Sequence, residues 1–235
     1  MDVRVCLLTQ RLNPNMEPGI REIAQHYLPL RNHYWYARIK LATDPLYAGV
    51  GAVLARTREP LLDLGCGIGL LGHTLRAQGF SGDYRGVDID AAKIASARAA
   101  ATRARLPGAR FETIDLAGGF PAHRGSVALL DIVQFLPPPA QAVLLENAIA
   151  CLTPGAVLVM RSGLHREGWR LSFTRAVDRF ARWTRWMNVG PQRYPRRDEL
   201  EQRFARHGLT ASFTPLRGRL PFENWLICAR HEPGG

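Results

Sequence analysis

The sequence predicts an α/β protein whose core is a doubly wound, mostly parallel sheet. Two observations carry this. From Leu61 to Met160, short apolar strands alternate with helical segments at the spacing of parallel crossover units. Directly after the first strand comes a glycine-rich turn, Gly65-Cys66-Gly67-Ile68-Gly69, that opens a helix. The 235 residues are 46% hydrophobic and 22% charged, which suits one large core and excludes disorder over most of the chain. No apolar run reaches the roughly 18 residues needed to cross a bilayer. Met1–Gln10 has no basic stretch followed by a long apolar one, so no secretory signal is expected. Cys6, Cys66, Cys151 and Cys228 are far apart with no C-x-x-C pair. That argues against a zinc site or disulfide scaffold and for a cytoplasmic protein without a metal.

The elements follow in order. Residues 1–20 read as an irregular lead-in, and residues 21–57 as helix broken at Pro29 and Pro45. Leu61–Leu64 is the first strand, and Leu70–Gln78 a helix closed by Gly79. Tyr84–Ile89 is the second strand, Ala91–Arg105 an alanine-rich helix, and Phe111–Ile114 the third strand. Val127–Phe135 is expected as a fourth, its nearly all apolar run fitting a strand buried on both faces. Ala140–Leu152 is a helix and Ala156–Met160 the fifth strand. Then the character changes. Leu171–Met187 carries Phe173, Val177, Phe180 and Met187 at helical spacing, with Arg175, Arg179 and Arg182 along another face. Asp198–His207 is a helix, and Leu209–Thr214 and Trp225–Arg230 are an antiparallel pair finishing the sheet. The expected organisation is one domain: N-terminal helices over 1–56, a ligand-binding core over 57–160, and a basic helical insertion with the final strands over 161–235.

Chemistry concentrates at the strand ends. The dinucleotide pattern G-x-G-x-x-G would need glycine at position 70, which is Leu70. The spacing is instead D-x-G-x-G-x-G, with Asp63 as the carboxylate. Asp63 would repel a pyrophosphate and suits a cationic ligand portion, such as a sulfonium carrying an α-amino group. Asp88, with Ile89 beside it, ends the second strand, where a carboxylate can accept hydrogen bonds from both ribose hydroxyls. Asp115 ends the third strand and can accept from an adenine amino group, with Leu116 offering a backbone amide. Asp90 reads as a helix N-cap and Cys66 as a small residue in the turn.

On these motifs, residues 57–160 resemble the class I S-adenosylmethionine-dependent methyltransferases. The resemblance implies a Rossmann-like, seven-stranded sheet with a late antiparallel strand. It implies Gly65, Gly67 and Gly69 against the methionine part of the cofactor, Asp88 on ribose, and Asp115 with Leu116 at adenine. Gln134 and Phe135 match the stretch whose backbone meets the methionine amine. The [DN]-P-P-[YF] motif of amino-methylating members is replaced after strand four by Asp131-Ile132-Val133-Gln134-Phe135, and no cysteine follows proline as in cytosine methylation. Small-molecule or carrier-bound acceptors lead the remaining classes. A narrower similarity, to methyltransferases of aryl-polyene pigment biosynthesis, rests on residues 33–41, 43–47, 168–175 and 220–224. It implies an aromatic acceptor, free or held on an acyl carrier protein.

Net charge is +11, and only Lys40 and Lys93 among the 31 basic residues are lysine. Residues 161–235 hold 15 Arg against 7 acidic residues. Such a face can dock an acidic carrier protein, or be a solvated arginine-rich helix. Residues 21–47 are the natural lid over the pocket. On it, Tyr36, Arg38 and Lys40 are candidates for the cofactor carboxylate, and Tyr34, Arg161, Trp169 and Phe173 for the acceptor. His33 and His165 are candidate general bases, since histidine titrates near neutral pH. Two other readings stay open: an RNA or protein methyltransferase, which the charge favours though no RNA-binding module is recognisable, and a non-catalytic scaffold.

Overall fold

Seven strands form one sheet in the computed structural model, which describes residues 16–164, 192–217 and 224–232. They are β1 (Leu61–Leu64), β2 (Tyr84–Asp88), β3 (Ala109–Thr113), β4 (Ser126–Leu130), β5 (Leu158–Gly163), β6 (Leu209–Leu216) and β7 (Asn224–His231). Their order is β3-β2-β1-β4-β5-β7-β6. The first five pair in parallel, and β7 runs antiparallel to both β5 and β6. The chain therefore winds outward from β1 to one side and from β4 to the other. The gap between the C-terminal ends of β1 and β4 is the topological switch point, where ligands enter open α/β sheets.

Helices cover both faces. They are α1 (Met16–Gln25), α2 (Arg31–Thr43), α3 (Leu46–Leu54), α4 (Leu70–Ala77), α5 (Ala91–Arg103), α6 (Pro138–Ala150) and α7 (Arg197–Arg206). The strand β1 shows how residues assign the layers. Leu62 and Leu64 join Leu144, Leu145 and Ile149 of α6 and Phe204 of α7. Leu61 points the other way, to Leu54 of α3, Leu75 of α4 and Ile94 of α5. A strand with helices on both sides has no wet face, so leucines stand on both sides of β1 and Asp63 alone interrupts them. Each leucine buried this fully contributes roughly 1.5–3 kcal/mol. A third cluster seats α1 and α2: Ala24, Tyr27, Ala37 and Leu41 pack on Ile68, Leu70 and Ala100. There the Tyr27 hydroxyl donates to the Ile68 carbonyl at 2.9 Å, tying α1 to the glycine turn.

Three expectations change. The fourth strand stops at Leu130; Asp131 takes a left-handed φ of 63°, and Val133–Phe135 is a 3-10 turn. A buried apolar run reads alike as strand or helical turn, which is why the pattern overshot. The next helix begins at Pro138 rather than Ala140, because proline is accommodated in a first turn that needs no N–H. The fifth strand runs on to Gly163, placing Arg161 within it rather than beyond it. The helix expected over Leu171–Met187 lies outside the described residues.

Candidate active site

The glycine turn wraps the C-terminal end of β1. The amides of Gly65 and Cys66 both donate to the Val87 carbonyl of β2, at 2.8 and 3.0 Å. Gly67 has a left-handed φ of 57° and open space where a side chain would stand, which lets a ligand approach the backbone. Gly69, with φ 79°, serves packing: a Cβ there would lie 2.5 Å from the Phe111 ring and 3.2 Å from Ala97. Gly69→Ala is therefore expected to cost about 2–3 kcal/mol, read from urea unfolding, because overpacking and left-handed strain add. Cys66 lies over Gly86 of β2, and burial pushes its thiol well up, so it is a spacer rather than a nucleophile.

Asp88 is fixed by two backbone donors. Its Oδ2 accepts from the Gly67 amide at 2.9 Å and its Oδ1 from the Asp90 amide at 2.9 Å. The carboxylate thus ties the end of β2 to the apex of the turn, beside exposed Ile89. Asp90 caps α5, accepting from the amides of Ala92 and Lys93. Asp115 lies two residues past β3, exposed, with Oδ1 accepting from the Ala117 amide at 2.9 Å. Leu116 packs half-buried on the same core cluster as Ile132, the residue after β4 that faces Gly65. Gly67, Asp88, Ile89, Asp115 and Leu116 thus stand on the loops that border the switch point.

Asp63 is held inward. It is buried, and the Tyr84 hydroxyl donates to its Oδ2 at 2.5 Å. The register explains the pair: Asp63 faces Gly86 across the ladder, leaving room for the diagonal Tyr84 ring. Burial pushes the Asp63 carboxyl up to about 7, against the Tyr84 hydrogen bond and with Asp88 adding repulsion.

Opposite, a buried ion cluster joins α2 to the sheet. The Arg161 guanidinium of β5 pairs with Asp44 at the end of α2 and with Asp131 at the end of β4, where Nε meets Oδ1 at 2.6 Å. Lys40 Nζ is 2.8 Å from Asp44. Burial pushes Lys40 down to about 8, Arg161 adds repulsion, and Asp44 works the other way. Asp44 is held at about 2, because Arg161 and Lys40 outweigh its burial. Arg161 is only 4% exposed and donates to two carboxylates of its own chain, which corrects the expectation that it grips an acceptor.

Other sequence candidates sit as follows. Tyr36 is half-buried beside Arg161 and Asp44, and burial raises its hydroxyl. Arg38 departs from the expected cofactor role: its guanidinium lies 5.7 Å from the Trp35 ring and donates to the Tyr34 hydroxyl at 3.4 Å. Tyr34 packs edge-on to Trp35 and on the N-terminal cluster. His33 Nδ1 lies 2.6 Å from Ser96 Oγ of α5, and burial lowers its ring. Gln134 is buried; its carbonyl accepts from the amides of Gln192 and Arg193, so it is engaged by backbone rather than presented to an amine. Phe135 is half-buried in the 3-10 turn. His165, Trp169 and Phe173 lie outside the described residues. Asp44, Asp131 and Tyr84 were not singled out; Asp44 before Pro45 and Asp131 at a strand end carried weak local signals.

The sheet order and the glycine turn define a Rossmann-like fold of the methyltransferase type. Residues 61–155 match the family model described as a methyltransferase domain. No curated protein sequence matches the chain. The fold is similar to that of the pyocyanin biosynthetic protein PhzM (TM-score 0.63, 16% identity, 91% of this chain and 62% of that one). It is similar to an O-methyltransferase family protein from Burkholderia thailandensis (TM-score 0.65, 17% identity, 92% and 64%). It is also similar to magnesium protoporphyrin IX methyltransferase from Synechocystis, solved with S-adenosylhomocysteine (TM-score 0.61, 14% identity, 98% and 94%). The chain spans less than two thirds of the length of the first two. S-adenosylmethionine fits the residues present: open space over Gly67 and a carboxylate at Asp88 held at the switch point.

Proposed function

We propose that the chain transfers the methyl group of S-adenosylmethionine to a small-molecule acceptor. The Gly67–Asp88 contact carries this reading: it sets a ribose-binding carboxylate beside a backbone open to ligand. The cofactor supplies an electrophilic methyl group, and the protein's part is to align an acceptor in line with it. Cofactor contacts are assigned to the glycine turn, Asp88, Ile89, Asp115 and Leu116. Small-molecule acceptors are supported by the names of the similar structures, which include a pyocyanin biosynthetic protein and a porphyrin methyltransferase. A cytoplasmic location fits four dispersed cysteines. Among the described residues, no helix is long and apolar enough to cross a membrane.

Asp88→Ala tests the cofactor site. Loss of charged hydrogen bonds worth about 1.5–3 kcal/mol should weaken S-adenosylhomocysteine binding roughly 10- to 150-fold by calorimetry. Unchanged affinity would remove Asp88 from the site. The narrower reading is an aromatic acceptor delivered by an acidic acyl carrier protein. Reversing Arg175, Arg179 and Arg182 to glutamate should then abolish carrier binding in a pull-down, and retained binding rejects it.

A further inference from the structure

Helix α2 has a second face, turned away from the ion cluster. Arg31, Trp35 and Ile39 recur on it every four residues, one side of a helix. Trp35 is 54% exposed and Ile39 49%, whereas Ala37 and Leu41 of the same helix are buried. In the turn just before it, Leu28 is 40% and Leu30 50% exposed. Six large apolar side chains stand out into solvent among the described residues, and these are four of them. All four fall between residues 28 and 39, so they are clustered along the chain rather than scattered.

The charge around the patch is mainly positive. Over residues 19–39, Glu22 is the single acidic side chain, against Arg21, Arg31 and Arg38. Arg21 and Arg31 are exposed, and the Arg38 guanidinium lies over Trp35. Arg103 of α5 donates to the His26 carbonyl at 2.8 Å, bringing a further guanidinium to the base of the turn.

We propose that this face docks the protein on an anionic lipid bilayer. Leu28, Leu30, Trp35 and Ile39 enter the boundary between headgroups and acyl chains, and the arginines meet lipid phosphates. Charge complementarity selects this occupant. A second copy would bring Arg21, Arg31 and Arg38 against their own images on a chain of net charge +11. A bilayer surface offers the opposite charge, and tryptophan and aliphatic side chains beside arginine match its interface. The attachment is peripheral.

The test uses the full chain and vesicles of equal parts phosphatidylglycerol and phosphatidylcholine, beside vesicles of phosphatidylcholine alone. Sedimentation should show at least ~10-fold stronger partition to the anionic vesicles, since each basic residue near such a surface adds attraction. Trp35→Ser with Ile39→Ser should lower that partition at least ~10-fold. Thermal unfolding of this variant should stay cooperative and within about 3 °C of the parent, because exposed side chains contribute little to stability. Three outcomes overturn the proposal. One is no partition of the parent. Another is equal partition of parent and variant, which would mark diffuse attraction of the whole positive chain. The third is a lipid-free dimer in sedimentation velocity that the double variant dissolves, which would make a second copy the occupant.

Discussion

Arg161→Leu is expected to cost about 3–5 kcal/mol of stability, measured as a shift in the urea midpoint with unchanged slope. Leucine keeps an apolar stem but not the guanidinium, so most of the loss is electrostatic and the rest is lost packing. Removing the guanidinium leaves buried Asp44 and half-buried Asp131 facing each other, with only Lys40 against them. Breaking one partner of a buried pair costs far more than the pair contributes, because the remaining charge keeps its desolvation penalty. The double variant Arg161→Leu with Asp131→Asn should recover part of the loss. Asparagine also tolerates the left-handed backbone at 131, so no new strain enters. A double variant no more stable than the single one would show that Asp131 does not depend on Arg161.

The second large effect is in the pH dependence, and it has two opposing parts. Asp63 titrates near 7 in the folded chain and near 4 when unfolded. Between those values the folded protein holds a proton that the unfolded chain has released. Its contribution is therefore full below about pH 4 and is lost as pH rises to about 7. His73 does the reverse. Burial, and the stacked His26 ring 5.8 Å away, push it down to about 4, and its Nε2 has no hydrogen-bond partner. Its contribution is full above about pH 6.5 and is lost as pH falls to about 4. Each amounts to about 3–4 kcal/mol at most. In the parent the two largely offset. Asp63→Asn should expose the histidine, giving a protein whose unfolding free energy climbs steeply between pH 4 and 6.5. His73→Gln should expose the aspartate and reverse the slope. A flat profile in both variants would place neither group at its stated value.

Local patterns made much of the fold legible. The D-x-G-x-G-x-G spacing located Gly67, and the end of the second strand located Asp88, because both signals lie within a few residues of a strand boundary. Their mutual contact needed only the parallel order of β1 and β2. Seven strands and their closing antiparallel pair followed from alternation. What could not be read was long-range pairing. Arg161 and Asp44 lie 117 residues apart, and nothing in either neighbourhood says that each is the other's counterion. Arg161 therefore looked free to grip an acceptor. Likewise, nothing near Gln134 announces that its carbonyl accepts from Gln192 and Arg193, which come from a distant segment.

The position of β7 has a consequence for how the protein is made. It lies between β5 and β6, and β6 has no other strand beside it among the described residues. As the chain leaves the ribosome, β6 emerges before the strand that will hold it in place. The edge of β5, which ends at Gly163, stays open for longer still. Until residues 224–231 emerge, the nascent sheet is a five-stranded parallel unit with an unprotected border, the moment at which a chaperone or an errant edge pairing would compete for it.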